Sequence, residues 1–159
     1  MRNNFYGLKL SYMVCTDISG HKRISSRVER YNPLTNQWEN RKSLSIPRFF
    51  AHLRPVGNTL LLFGGATLDK TGKVVCVKEV ERYTPTSDTW CTITTMLQPR
   101  AEFGAAVIGN CIYICGGYSW DTNRRLSSTE MYDCEKSTWT ELPSKQKTIF
   151  KRITFVFFW

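Results

Sequence analysis

Hydrophobic residues in this chain form short runs that end in a pair of glycines and return at a fixed distance. Residues 60–65 read Leu-Leu-Leu-Phe-Gly-Gly, and residues 112–117, which start 52 positions later, read Ile-Tyr-Ile-Cys-Gly-Gly. An apolar run of this length, closed by glycines, is typical of a buried β-strand whose end approaches another backbone closely. The recurrence predicts successive copies of one structural unit of about 50 residues.

A second pattern places a tyrosine seven residues before a tryptophan, with turn-forming residues between them. The pairs are Tyr31 with Trp38, Tyr83 with Trp90 and Tyr132 with Trp139. In the first two pairs the tyrosine is the last residue of the same tetrapeptide, Val-Glu-Arg-Tyr. Asn-Pro, Thr-Pro or Asp follows each tyrosine, and such residues close turns. Each pair therefore predicts a hairpin that joins two strands.

Two further marks complete the unit. A Pro-Arg step at 47–48 and at 99–100 lies nine residues after the preceding tryptophan, and a Gly-Asn pair at 57–58 and at 109–110 precedes each apolar run. Gly-Asn suits a tight turn between antiparallel strands. One unit is therefore predicted to contain four short strands in an antiparallel meander, which is the architecture of a propeller blade.

The sequence thus predicts an all-β fold of propeller blades, with two full four-stranded units and partial ones. The glycine-pair strand is apolar on both faces, as expected for a sheet that lies between neighbouring sheets. Tyrosine and tryptophan rings, which bury about 150–250 Å² each, are large enough to fill the wedge between radially arranged sheets. The residues to which we assign this structural packing are Gly64, Gly65, Gly116, Gly117, Tyr31, Tyr83, Tyr132, Trp38, Trp90 and Trp139.

The regular pattern divides the chain into three parts. Residues 1–27 are interpreted as a partial or degenerate blade, residues 28–143 carry the repeats, and residues 144–159 form a basic and apolar tail outside them. The net charge of +9 lies mostly in the two ends, since the central part has 13 basic and 12 acidic residues. Neither nucleic acid nor a membrane is therefore expected as a partner, and the apolar tail is shorter than the roughly 20 residues that span a bilayer.

Cysteine usage indicates a reducing compartment. The six cysteines form no Cys-x-x-Cys pair, and Cys111 and Cys115 lie too far apart along a predicted strand to form a disulfide. The N-terminal segment lacks the uninterrupted apolar core of a signal peptide, because Lys9 and Ser11 break it. A cytoplasmic location is therefore predicted.

Taken together, the glycine pair, the Glu-Arg-Tyr segment, the tyrosine–tryptophan spacing and the Pro-Arg step resemble the kelch repeat. The resemblance covers residues 28–143 and looks most like the C-terminal propeller of BTB–Kelch (kelch-like) proteins. In that family a BTB domain dimerises and binds a cullin scaffold, a BACK domain follows, and a six-bladed propeller captures a substrate for ubiquitin transfer. This sequence has neither BTB nor BACK region, so the resemblance implies substrate capture at most, and no cullin contact is expected.

The number of units indicates an incomplete propeller. Closed propellers have about 4–8 blades, whereas this chain shows two full units and a partial third. The sequence is therefore interpreted as a fragment, a truncated product or an alternative product with an unrelated ending. Each terminal blade would expose an apolar face, so such a stack is expected to be marginal alone or to pair with another chain.

Residues that could carry catalysis are sparse. The glycine pairs lack the lysine and the spacing of a P-loop, and His21 and His52 are far apart. Some kelch-fold enzymes are copper oxidases with Tyr, His and Cys ligands, but no histidine cluster here supports that alternative. We therefore predict no enzyme activity, no cofactor and no metal site, and expect His52 to begin a strand. The cysteines are expected to pack as small apolar groups, and Cys76, in a predicted long loop, is the main candidate for an exception, as a reactive thiol.

Protein binding is the function that the resemblance implies. In kelch-like propellers the loop between the second and third strands lies on the substrate face; here these loops are residues 66–78 and 118–128. The position two residues after the Pro-Arg step lies there too. The candidate partner-binding residues are Tyr118, Trp120, Arg124, Arg125, Phe50 and Glu102. The two arginines would suit an acidic partner. The alternatives are a protein that binds actin or the cytoskeleton, or loop aromatic residues that fold back onto their own blade.

Overall fold

The computed structural model describes residues 16–17, 23–32 and 34–143, and each regular element in these ranges is a β-strand. The expectations for Cys15, His21, the tail 144–159 and most of residues 1–27 therefore lie outside the described residues. In chain order the described strands are β1 (Thr16–Asp17), β2 (Arg23–Ile24), β3 (Val28–Asn32), β4 (Gln37–Arg41), β5 (His52–Val56), β6 (Thr59–Phe63), β7 (Ala66–Leu68), β8 (Val74–Cys76), β9 (Glu79–Thr84), β10 (Thr89–Thr95), β11 (Gly104–Ile108), β12 (Cys111–Cys115), β13 (Tyr118–Ser119), β14 (Arg124–Arg125), β15 (Thr129–Asp133) and β16 (Thr138–Leu142).

Two antiparallel four-stranded sheets form the main body. The first blade has the strand order β5-β6-β9-β10, and the second blade has the order β11-β12-β15-β16. Among the described residues, strands β3 and β4 pair only with each other, and we call this two-stranded sheet the half-blade. The predicted fold class is confirmed: the described chain is all-β, with two full blades and a partial one that do not close into a ring.

The predicted hairpins and turns explain why these segments form strands. Tyr31 and Trp38 are cross-strand partners in the half-blade, as Tyr83 and Trp90 are in the first blade. The ring centroids of these two pairs are 5.4 and 4.9 Å apart with the rings tilted, so each hairpin carries an aromatic pair in contact. The Gly-Asn steps at 57–58 and 109–110 are the two-residue turns that join β5 to β6 and β11 to β12.

The core consists of two apolar seams. The first seam lies between the half-blade and the first blade, where Val28 and Leu44 pack against Leu62. The second seam lies between the two blades and is larger; it contains Phe63 and Ile112 together with seven further buried apolar residues. The expectation that the glycine-pair strand is buried on both faces holds for β6, whereas β12 buries alternate residues only. The second blade has a neighbour on one side in the described residues, and this accounts for the difference.

The arginine of each Pro-Arg step anchors the segment between two units to the blade that follows. The side chains of Arg48 and Glu81 are fully buried and form an ion pair with a distance of 2.6 Å between Nη2 and Oε2. Arg48 Nη1 also donates to the carbonyl oxygens of Gly64 and Glu79, at 3.3 and 3.2 Å. Burial lowers the pKa of the Arg48 guanidinium, and the charge of Glu81 opposes that effect.

The second blade repeats this arrangement. Arg100 pairs with Glu130, both side chains are buried, and Arg100 Nη1 donates to the carbonyl oxygens of Gly116 and Ser128 at 2.9 and 3.1 Å. A buried guanidinium is tolerated only where its charge and its hydrogen-bond donors are satisfied. The arginine thus holds the incoming connection, the second strand and the third strand of its blade together.

Candidate protein-interaction face

The two predicted loops are in fact short hairpins. Within residues 66–78 strands β7 and β8 pair, and within residues 118–128 strands β13 and β14 pair. The sequence did not reveal the hairpins inside these loops, because strands of two or three residues are too short for a recognisable alternation of polar and apolar positions. In the first hairpin, Asp69 Oδ1 accepts hydrogen bonds from the backbone N–H groups of Thr71 and Lys73, at 2.8 and 2.9 Å, and these bonds fix the turn.

Backbone hydrogen bonds bring the candidate residues from both blades to the same edge of the molecule. Phe49 exchanges two backbone hydrogen bonds with Ala66, and Ala101 exchanges two with Tyr118, with N–O distances of 2.8 to 3.0 Å. The residues that follow Phe49 and Ala101, namely Phe50 and Glu102, therefore lie beside the two hairpins. The backbone N–H of Glu102 donates to the carbonyl oxygen of Phe50 at 3.4 Å. We call Phe50, Glu102 and the hairpins β7–β8 and β13–β14 the interaction face.

Phe50 and Glu102 share a rare backbone conformation. Their φ angles are 54° and 53°, in the left-handed region that residues other than glycine seldom occupy. Such a conformation costs of order 1–3 kcal/mol and occurs most often at functional sites. Phe50 is also 54% exposed, so an aromatic ring is held in solvent on a strained backbone. No local pattern in the sequence predicts this strain.

The four candidates on hairpin β13–β14 divide into two groups. Tyr118 and Trp120 are half-buried, with ring centroids 5.0 Å apart in an edge-to-face contact, and the Tyr118 hydroxyl donates to Asn123 Oδ1. These two aromatic residues therefore fold back onto their own hairpin. Arg124 and Arg125 are exposed, and among the described residues neither has an ion-pair partner.

Contacts between the hairpins join the two blades along the interaction face. The backbone N–H of Cys76 donates to Asp121 Oδ2 at 3.1 Å, and the backbone N–H of Trp120 contacts Cys76 Sγ at 3.3 Å. Burial raises the pKa of the Cys76 thiol, which lowers its thiolate fraction and argues against a reactive thiol at this position. Cys76 lies in β8 rather than in a loop, where it positions the second hairpin against the first.

A cleft of about 380 Å³ lies between the half-blade and the first blade. Phe50 lines it from the interaction face, Trp90 and Arg54 line it from the first blade, and Arg27 lines it from the other side. His52 also faces the cleft, and burial, followed by the nearby charge of Arg54, lowers the pKa of His52 to about 4. Sequence reasoning missed this cleft because it forms only where two units meet.

Neither a metal site nor a membrane span emerges from the described residues. His52 begins β5, as expected. Within residues 16–17, 23–32 and 34–143, no three His, Cys, Asp or Glu side chains are grouped so that they could hold a metal ion. The same part of the chain contains no helix with the length and apolar character needed to cross a bilayer.

Comparison with known proteins gives concordant matches. The family model described as the Kelch motif matches residues 18–45 and 99–146. Kelch-like protein 36 of Bos taurus is 32% identical over 118 residues, which cover 71% of this chain and 19% of that protein. Kelch-like protein 23 of Homo sapiens is 32% identical over 125 residues, or 77% of this chain and 21% of that protein. The chain thus spans about a fifth of the length of these relatives.

The solved structure of YjhT supports the fold alone. It superposes with a TM-score of 0.69 at 13% sequence identity, and the match covers 77% of this chain and 46% of that structure.

Proposed function

We infer that this chain, which is a kelch-repeat protein, binds another protein through the interaction face. The observation that carries the proposal is the exposed ring of Phe50 on a left-handed backbone, beside the exposed arginines of β14. Aromatic and arginine side chains most often supply the binding energy of protein interfaces. Hairpin contacts through Cys76 hold this surface rigid across two blades, which lowers the entropy lost on binding.

The partner that fits this surface presents acidic residues. Arg124 and Arg125 have guanidinium groups free to form bidentate contacts with carboxylates. The nearby acidic group of Asp121 is engaged with the backbone of Cys76. Glu102 is exposed on the same face and would disfavour a carboxylate next to it, so it sets the register of an acidic segment rather than its affinity.

In the cell, the role proposed for this binding is substrate capture for a cullin-based ubiquitin ligase. Two curated relatives are kelch-like proteins, and the chain matches about a fifth of their length, so the proposal concerns the recognition step alone. A cytoplasmic location is part of the proposal. The five cysteines of the described residues are all free thiols, which is typical of a reducing compartment.

A peptide-binding assay tests the proposal. Fluorescence anisotropy would compare a labelled peptide of Glu-Gly-Tyr repeats with its Lys-Gly-Tyr counterpart. We expect the acidic peptide alone to bind, and the double variant Arg124→Ala, Arg125→Ala to weaken binding about tenfold or more, which is roughly 1.4 kcal/mol. Because a rim charge acts partly on the rate of association, the loss should be larger at low salt.

The matched control removes the same charge elsewhere. Arg82 and Lys136 are exposed basic residues outside the interaction face, so the double variant Arg82→Ala, Lys136→Ala should bind the acidic peptide normally. Equal losses in both double variants would mean that the peptide responds to net charge only. Unchanged binding in the Arg124→Ala, Arg125→Ala variant would reject the proposed contact.

A further inference from the structure

In both seams a tryptophan indole donates a hydrogen bond to the preceding unit, to a backbone carbonyl in one seam and to a side-chain hydroxyl in the other. The indole N–H of Trp90 donates to the carbonyl oxygen of Lys42 at 2.8 Å, and the indole N–H of Trp139 donates to Thr94 Oγ1 at 3.2 Å. Lys42 and Thr94 each lie four residues after the tryptophan of the preceding unit. Every junction therefore has two halves. The donor half carries the tyrosine–tryptophan pair, and the acceptor half carries the residue that lies four positions after the tryptophan of the preceding unit.

The half-blade presents a donor half that is uncovered in the described structure. Trp38 is 52% exposed, and no described residue accepts a hydrogen bond from its indole. Its neighbour Tyr31 is half-buried, whereas Tyr83 and Tyr132, at the same position in the two blades, are only 2% and 3% exposed. The half-blade thus has the residues of a junction without the partner that covers them in the other two units.

The second blade presents an acceptor half that is likewise uncovered. Its outer face carries Tyr113 and Met131, which are cross-strand partners and half-buried, and Ile108, which is 65% exposed. In the first blade the position of Tyr113 is taken by Leu61, which the second seam buries to 3% exposure. Pro143 lies four residues after Trp139, so its carbonyl group occupies the acceptor position.

We propose that two copies of this chain pack head to tail, so that the half-blade of each copy covers the outer face of the second blade of the other. The chain already forms this junction twice within itself, and the two open faces are its two complementary halves. They lie at opposite ends of the stack of half-blade, first blade and second blade, so one copy cannot satisfy both of them.

Closure after two copies follows from the number of units. Contacts of the head-to-tail type give a closed ring where the rotation completes a circle, and an open filament where it does not. The described residues of one chain supply two blades and a half-blade, so those of two copies supply six blade positions, which lies within the range of about 4–8 blades found in closed propellers. The pair would bury the two open faces of the described residues in two further seams.

Molar mass in solution, measured by light scattering at about 100 μM, tests the pairing, because association depends on concentration by mass action. The expected mass is twice the 18.4 kDa of the chain.

Trp38→Glu and Tyr113→Lys should each raise the dissociation constant by about tenfold or more, since each places a charge in both junctions of the pair. Leu34→Glu is the matched control: Leu34 is 95% exposed in the turn between β3 and β4, and its substitution should leave the pair intact.

Mixing the two damaged variants identifies the head-to-tail geometry. An equimolar mixture of the Trp38→Glu and Tyr113→Lys chains contains pairs with one intact junction, so the mixture should contain more dimer than either variant does alone at the same total concentration. Circular dichroism would establish that both variants remain folded, and Met131→Lys, on the same outer face, replaces Tyr113→Lys if that variant unfolds.

Three outcomes would overturn the proposal. A wild-type chain that stays at 18.4 kDa would show that the faces do not join. Loss of the dimer in Trp38→Glu with no effect of either outer-face variant would mean that two half-blades pair face to face. Species that grow beyond two copies would mean that the junction forms without closing. Because the interaction face is not part of either junction, failure here would leave peptide binding unaffected.

Discussion

Strands β6 and β12 are copies of the same element, yet they differ in burial. In β6 the residues from Leu60 to Phe63 are all buried, whereas β12 buries Ile112 and Ile114 and leaves the residues between and beside them half-buried. The first blade lies between two neighbours, and the second blade has one neighbour among the described residues. Burial in a repeat structure is therefore set by the adjoining unit as much as by the strand itself.

The largest expected effect on stability is a difference between substitutions at equivalent positions in these two strands. Phe63 is fully buried in the second seam, and Cys115 holds the same place on the open face of the second blade. Phe63→Ala should lower the free energy of unfolding by about 3–5 kcal/mol, because it leaves a cavity. Cys115→Ala should lower it by less than about 1 kcal/mol.

Urea unfolding followed by tryptophan fluorescence measures both values, since Trp139 packs on the second seam, with its ring centroid 6.3 Å from that of Phe63. A loss well above about 1 kcal/mol for Cys115→Ala would mean that the outer face of the second blade is covered in solution. This result is also expected if the measurement is made on the head-to-tail pair, so the concentration should be low enough to keep the chain monomeric.

The next prediction compares alanine substitutions at the first glycine of each glycine pair, Gly64 in the first blade and Gly116 in the second. A Cβ atom on Gly64 would lie 2.6 Å from the carbonyl oxygen of Arg100 and 2.8 Å from Phe103, both in the connection that enters the second blade. On Gly116 the nearest atom would be 3.4 Å away. Both positions have positive φ, so each alanine substitution should cost about 1–2 kcal/mol in strain.

Steric overlap with the next unit should add about 1–3 kcal/mol at Gly64 alone. The difference in urea midpoint between Gly64→Ala and Gly116→Ala measures this addition. Equal urea midpoints would contradict the inference that overlap with the second blade adds to the cost of Gly64→Ala.

The smallest effect concerns pH. His52 begins β5, an edge strand of the first blade, where the second blade has Gly104, and its ring lies 4.8 Å from that of Phe103. Since burial lowers the pKa of His52 to about 4, the folded state favours the neutral ring, while in the unfolded chain the pKa is near 6.5. As the pH falls from 6.5 towards 4, unfolding takes up a proton, so stability is full above this window and decreases within it.

Between pH 7.5 and pH 5 the free energy of unfolding should therefore fall by about 1–2 kcal/mol from this residue. His52→Gln removes the contribution, and the pH dependence that remains in this variant measures all other groups. The expectation fails if the variant and the wild-type chain lose the same stability over this range.

Most of the fold could be predicted because its signals are local. The Gly-Asn turns, the apolar runs and the tyrosine–tryptophan hairpins each specify structure within about ten residues, and the structure contains all of them. The pairing of Arg48 with Glu81 and of Arg100 with Glu130 was not predicted, because the partners are 33 and 30 residues apart and no local pattern joins them.

Only part of the candidate site could be predicted from the sequence. Phe50, Arg124 and Arg125 were proposed from the resemblance, and the structure shows them exposed at one edge. The backbone strain at Phe50, the hairpins and the cleft depend on contacts between units, which a single repeat does not record. Half-burial of Tyr118 and Trp120 depends likewise on how their hairpin folds back on itself.

The buried arginine–glutamate pairs bear on how such a protein changes its number of repeats during evolution. Both members of each pair belong to the same unit, since Arg48 precedes the first blade and Glu81 lies within it, and Arg100 and Glu130 follow the same order. A gene duplication or deletion that copies or removes one whole unit therefore carries both charges together. No guanidinium is left without its carboxylate, so units can be gained or lost without a compensating mutation elsewhere.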